Sequence, residues 1–255
     1  MRSFFNLMAL EDLDPSRGFE DISAAGYDGV QFTDIATQKQ LRACDTLRLG
    51  RCSSGRVNAP AEVETLASRC VDEGQECVTL HVGWGMEDDA QAFDLIEAIL
   101  RASDRIPLYV ETHRATIFQD MWRTVQFIRR FPELRFNGDF SHWYTGLEMV
   151  YGGFENKLAY IEPVIERVRF IHGRIGNPGC IQLNIDDESA LYVQHFCELW
   201  TRCFRAAPDT ILFVPELLSP RIYYGQAGSD RWSQSLRLRR IAAECFANAR
   251  SLGLA

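Results

Sequence analysis

Apolar positions along this chain follow two alternating rhythms. Short runs rich in β-branched and aromatic residues read as strands: SFFNLMA (3–9), DGVQF (28–32), DTLRLG (45–50), CVTLHVG (77–83), PLYVETH (107–113), LRFNGDF (134–140), VRFIHG (168–173) and ILFVPEL (211–217). Between them, stretches such as AEVETLASRCVDEG and QDMWRTVQFIRRFP repeat apolar residues three and four apart, the period of a helix with one buried face. The third run, 45–50, carries the weakest strand pattern. No linker, low-complexity tract or charge block divides the chain, so the reading is one domain over 1–255. Eight strands alternating with helices over this length predict a single α/β domain of the (β/α)8 TIM-barrel type. An open doubly wound sheet is the rival, and no GxGxxG or P-loop follows the first strand to support it.

Side chains alternate across a strand, which sorts the polar residues by face. In PLYVETH, Tyr109, Glu111 and His113 share one side. In VRFIHGR, His172 lies with Val168, Phe170 and Arg174, and in ILFVPEL Glu216 lies with Leu212 and Val214. Glu111, Asp139, His172 and Glu216 thus end the fifth to eighth strands, 28, 33 and 44 residues apart. Barrel chemistry comes from the C-terminal ends of several strands, so these four converge on one rim. Three carboxylates and an imidazole suit one divalent ion: Mn, Mg, Fe, Co or Zn. A lone strand-end carboxylate more often caps a helix or pairs with a loop cation, and a lone strand histidine is more often a satisfied core residue. The joint pattern favours the metal set, because four of the five histidines, His81, His113, His142 and His172, lie at or just beyond strand ends. His195, within the helical pattern LYVQHFCELW, reads as structural.

Composition narrows the partners. With 46% hydrophobic and 24% charged residues the chain can bury a sizeable core, and a net charge of −8 argues against nucleic acid. The basic RLRLRR stretch reads as one face of a late helix. MRSFFNLMAL is followed at once by Glu11, Asp12 and Asp14 without a cleavage pattern, and no apolar run is long enough for a bilayer. Eight scattered cysteines without CxxC or zinc-finger spacing read as small hydrophobes. The expectation is a cytoplasmic protein with no membrane partner.

The segments VETHR, GDFSHW, FIHGRIG and VPEL, in that order, resemble the xylose isomerase-like TIM barrels, and within them the sugar phosphate isomerase/epimerase family. The likeness runs from about Gly26 (GYDGVQF) to Glu216; no single motif is specific, but the ordered set is. It implies one divalent metal held by Glu111, Asp139, His172 and Glu216. It also implies substrate contacts from His142, through the Asp-x-x-His arrangement with Asp139, and from Arg174. Gln31 stands where relatives often carry Glu, which leaves that role open here. The related apurinic endonucleases need a further Asp-x-His pair after the seventh strand, and GRIGNPGCIQLNIDD contains no histidine.

The implied chemistry is isomerisation or epimerisation of a sugar, ketose or related polyol through a metal-stabilised enediolate. Glu111 and Glu216 exchange the proton, and His81 and His113 line the opposite wall. Trp84 and Trp143 offer stacking faces, and Gln182 offers an amide in the loop after the seventh strand. Tyr223 and Tyr224 either cover the site or meet a partner subunit, and a homo-oligomer stays open. Arg114, Arg174 and Arg221 do not compose a convincing phosphate site. A lyase that dehydrates a keto-cyclitol or similar substrate on the same residues is the alternative. A metal-dependent phosphoesterase and a barrel without catalysis rank lower.

Overall fold

The computed structural model describes residues 1–10, 18–151, 153–207, 210–219, 224 and 230–251. Eight parallel strands pair in sequence order, and the first pairs with the last, closing a barrel. They are β1 (Arg2–Asn6), β2 (Gly29–Phe32), β3 (Gly50–Val57), β4 (Val78–Val82), β5 (Leu108–Glu111), β6 (Phe136–Asn137), β7 (Val168–His172) and β8 (Leu212–Val214). The outer helices are α1 (Phe19–Ala24), α2 (Gln38–Leu47), α3 (Pro60–Asp72), α4 (Asp89–Ala102), α5 (Met121–Arg130), α6 (Ser141–Gly146), α7 (Phe154–Tyr160), α8 (Glu162–Ile165), α9 (Leu191–Ala206) and α10 (Arg231–Ser251). The expected (β/α)8 barrel is the observed fold.

Local chemistry explains where the helices begin. Thr37 with Gln40 and Asp88 with Gln91 form reciprocal capping boxes at α2 and α4. Asp120 accepts the Arg123 N–H at 2.7 Å to start α5, and Pro60 opens α3, where a missing N–H costs nothing. The buried faces follow the helical period: Val63, Ala67 and Cys70 on α3, and Ala92, Leu95, Ile96 and Ile99 on α4.

Three boundaries differ from expectation. Residues 45–47 finish α2, Arg48 ends it in the left-handed conformation (φ 55°), and the third strand is instead 50–57. That strand, RCSSGRV after Gly50, lacks an apolar run. Its pairing with β2 and β4 supplies the stability that composition does not. β1 stops at Asn6 because residues 7–10 turn into a 3₁₀ helix. β6 shrinks to two residues with an irregular register against β7, so Asp139 lies beyond the strand.

Two apolar layers result. Inside the barrel Phe4, Cys52, Cys77, Phe170, Leu212 and Val214, with Tyr109 against them, pack into a plug. Outside it, a larger core fills the space between strands and helices. Gly173, just after β7, has Phe213 so close that a Cβ there would sit 2.1 Å from the ring's Cζ. All eight cysteines are free, six of them buried, as small hydrophobes. Among the described residues no helix is long and apolar enough to cross a membrane.

Candidate functional site

Above the apolar plug, the next interior position turns polar on six of the strands. Asn6, Gln31, Thr79, Glu111, Asn137 and His172 form a buried layer, and Glu216 follows β8. Donor atoms from Glu111, Asp139, His172 and Glu216 all lie within 4.8 Å of one another. His172 Nδ1 is 3.1 Å from Glu111 Oε2 and 3.6 Å from Glu216 Oε1. A second group, His81, Glu111 and His113, meets the same spacing. Glu111 Oε1 is buried without a hydrogen-bond partner. A buried oxygen among clustered carboxylate and imidazole ligands is a donor set that fits a divalent cation.

Hydrogen-bond polarity in this layer follows from two backbone groups. Met8 N–H donates to Asn6 Oδ1 at 2.9 Å, so Asn6 Nδ2 is the donor to Gln31 Oε1, also at 2.9 Å. Gln31 Oε1 then faces His172 Nε2 at 3.0 Å, so Nε2 carries a proton and donates it. On the other side, His172 N–H donates to Asn137 Oδ1 at 2.9 Å, which leaves Asn137 Nδ2 to donate to Glu111 Oε2 at 2.9 Å. His172 Nδ1 therefore faces the Glu111 and Glu216 carboxylates and also the Asn137 amide, whose Nδ2 lies 2.9 Å away. Asn6, Gln31 and Asn137 set its orientation as outer partners of a ligating histidine do.

Charges balance pairwise. Arg174, fully buried, pairs closely with Asp139, lies 3.1 Å from Glu216 Oε2 and donates from Nε to Ser141 Oγ at 3.0 Å. Ser141 in turn donates its N–H and hydroxyl to Asp139 Oδ1 at 3.0 and 2.5 Å. Burial alone would raise the pKa of Asp139, but Arg174 and then His142 outweigh it and hold it below the ordinary carboxylate range. Burial likewise opposes ionisation of Glu111, and His81 and His172 overcome it, leaving Glu111 well below its ordinary value. Desolvation disfavours the His172 imidazolium, yet Glu216 and Glu111 push its pKa up to about 9. His81 is also raised against its burial, by Glu111 at 3.2 Å. His113 goes the other way: burial dominates and lowers it to about 3, so it stays neutral.

The imidazoles of His81, His113 and His142 lie in a row, tilted to one another by 34° and 49°, with centroid separations of 4.2 and 3.9 Å. His142 Nε2 lies 2.9 Å from Arg174 Nη2 and 3.4 Å from Asp139 Oδ2. A cavity of about 440 Å³ opens at this end of the barrel, and His81, His113, Arg174, Glu216 and Tyr224 line it. The Arg174 guanidinium sits over the Tyr224 ring at 5.6 Å.

Three expectations for individual residues change. Trp143 is completely buried in the outer core, donating its indole N–H to the Phe118 carbonyl at 3.0 Å, so its face is closed to a sugar. The Gln182 carboxamide is buried and clasps the Leu218 backbone in both directions, at 2.9 and 2.8 Å, which makes it a loop tie. Trp84 is 52% exposed but belongs to a neighbouring depression with Asn58, Pro60 and Met86. Arg221 and Tyr223 lie outside the described residues. His195 hydrogen-bonds Tyr144 at 2.9 Å and stacks on Phe154, away from the barrel mouth. Asn6, Asn137 and Ser141 escaped the sequence reading, although the alternation already placed Asn137 two residues before Asp139. Arg56, which lines the cavity, was hidden by the misplaced third strand.

Fold and site together define a (β/α)8 barrel with a candidate metal cluster at the C-terminal ends of its strands. No protein-family model and no curated protein sequence matches the chain. Among solved structures it is similar to the probable 3-DHS dehydratase AsbF of Bacillus anthracis. The two share 12% identity and a TM-score of 0.62, covering 94% of this chain and 98% of that one. It is also similar to the protein SMc04130 of Sinorhizobium meliloti 1021, at 14% identity and a TM-score of 0.57, covering 97% and 98%. These likenesses support the (β/α)8 barrel fold.

Proposed function

We propose that this chain is a divalent-metal-dependent enzyme that moves a proton beside a carbonyl in a small polyhydroxylated substrate, as an isomerase or epimerase does. The observation that carries the reading is the gathering of Glu111, Asp139, His172 and Glu216 donor atoms within 4.8 Å beside a 440 Å³ cavity. Glu111, Asp139, His172 and Glu216 would hold the ion. When bound, it supplies Lewis-acid polarisation of the substrate carbonyl.

The chain's own groups account for the rest. Glu216 reaches the cavity wall and takes the proton next to the carbonyl. In the strand order β4 stands opposite β8, so His81 on β4 faces the Glu216 side from across the mouth, with neutral His113 beside it. His81 returns a proton at the other carbon or the other face. Arg174 and His142 hold substrate oxygens. The plug beneath keeps water from entering through the floor, so the carboxylates work in a low dielectric.

Dehydration is the second reading, and one feature favours it. His81 Nε2 lies 3.2 Å from Glu111, which raises its pKa against burial, and from there the imidazole can deliver a proton to a departing hydroxyl. AsbF, similar in fold, is described as a probable 3-DHS dehydratase. Metal analysis of chelator-free protein, followed by Glu216→Gln, tests the shared site. Stoichiometric metal is expected, with the variant retaining much of it while solvent-deuterium exchange into ketoses falls by about 10²-fold or more. Protein that takes up no divalent ion refutes the proposal. Product mass separates the two outcomes, since dehydration removes one water and epimerisation removes nothing.

A further inference from the structure

We infer that Arg56, with Thr33 and Ser54, forms a subsite for an anionic group of the substrate, a carboxylate or a phosphate monoester. The substrate of the reaction proposed above is then an acid, not a neutral sugar. This substrate class rests on that reading, whereas the anion site itself rests only on the cavity.

Arg56 is the penultimate residue of β3 and lines the same 440 Å³ cavity as Arg174 and Glu216. The two arginines differ in their partners. Arg174 already meets Asp139 and Glu216. Arg56 meets no carboxylate among the described residues. Glu87 is close enough to favour its charge, but that carboxylate is occupied by the N–H groups of Trp84, Gly85 and Met86 at 2.7, 2.8 and 3.0 Å. Glu111, the other carboxylate that favours its charge, is engaged by Asn137 and His81. Asp34 also lines the cavity, from an exposed loop position, and forms no ion pair with Arg56.

The guanidinium is nevertheless fixed in place. Nη1 donates to the Gly83 carbonyl and, at 3.2 Å, to the Ala115 carbonyl, while the Trp84 ring covers one face with its centroid 4.1 Å from Cζ. Its Nε and Nη2 donors have no protein partner among the described residues. A planar cation held at one edge and on one face has lost its rotamer freedom before any ligand arrives, so an anion binding the free edge orders little more. Thr33 and Ser54 line the same wall, and their hydroxyls make no hydrogen bond within the described residues. One fixed cation and two spare hydroxyl donors compose an anion site.

The test is calorimetric titration of the full chain with two matched pairs, quinate against inositol and fructose 6-phosphate against fructose, each with and without Mn²⁺. Wild type, Arg56→Gln and Arg56→Lys are compared at low and high salt. At least one acid is expected to bind about tenfold or more tightly than its neutral partner. Arg56→Gln should bring that acid to the neutral level, and Arg56→Lys should restore part of the preference. The pair that shows the preference identifies carboxylate or phosphate. Equal binding within both pairs, binding of neither acid, or a preference that survives Arg56→Gln in a variant of unchanged melting temperature overturns the inference. An acid preference in protein that takes up no Mn²⁺ would refute the metal-dependent reaction while leaving the anion site in place.

Discussion

Replacing Gln31 by Met keeps the length of the side chain and removes its acceptor from the barrel interior. Two donors lose that acceptor together, His172 Nε2–H at 3.0 Å and Asn6 Nδ2–H at 2.9 Å. Both are completely or almost completely buried, so water does not replace the lost partner. A buried donor left unpaired costs about 1–3 kcal/mol, so Gln31→Met should destabilise the fold by about 2–6 kcal/mol. Urea unfolding followed by circular dichroism in the presence of chelator reads this loss without any contribution from metal. A second effect concerns His172 itself. Without an acceptor on Nε2 the ring loses the constraint that turns Nδ1 toward Glu111 and Glu216, and affinity for Mn²⁺ should fall by about 10–100-fold in competition with a chromogenic chelator. Gln31→Glu supplies an oxygen to both donors and should recover most of that affinity. A Gln31→Met protein within about 0.5 kcal/mol of wild type would show that Gln31 is not the acceptor and would break the chain of polarity drawn from Met8 N–H.

Tyr27 is buried with its hydroxyl 2.8 Å from Ser235 Oγ, and burial pushes its pKa up to about 12 from 10. The folded state therefore holds this proton more tightly than the unfolded chain. The associated stability is complete below pH 10 and is lost as pH rises toward 12, about 2–3 kcal/mol in all. In Tyr27→Phe that part of the alkaline slope in a urea-midpoint series should vanish. Trp143→Ala should cost about 3–5 kcal/mol in denaturant unfolding yet leave Mn²⁺ affinity unchanged in the folded protein. Weakened metal binding there would restore the tryptophan to the site. Gly173→Ala drives a methyl into the Phe213 ring and should cost about 1–3 kcal/mol. Adding Phe213→Leu should return part of it, and simple additivity in the double-mutant cycle would count against the clash.

Strand parity carried most of what was legible. Because residues two apart share a face, Glu111, His172 and Glu216 could be assigned to the interior before any coordinates, and all three are there. Parity fails where a strand ends early. Asp139 stands two residues beyond β6, and the Thr112 hydroxyl, donating to the Asp139 carbonyl at 2.8 Å, helps to hold its loop. β3 is not legible in the pattern because its stability comes from two neighbours and not from its own side chains. Arg56 has no assignable face in the sequence for the same reason. Trp143 and Gln182 went astray for another reason. Aromatic and amide groups near a strand end look alike whether they meet a ligand or a backbone carbonyl, and only contacts such as Trp143 to Phe118 O separate the two.

The seven side chains packed beneath the polar layer make the barrel a vessel with one opening. Whatever enters must leave by the same door, so product has to depart before the next molecule can approach Glu216. A hydrogen taken from one molecule and held on a side chain meets bulk solvent only when that doorway is clear. Residues at the lip, such as Tyr224 and Arg56, thereby govern how much isotopic label washes out in each turnover, although neither touches the transferred atom.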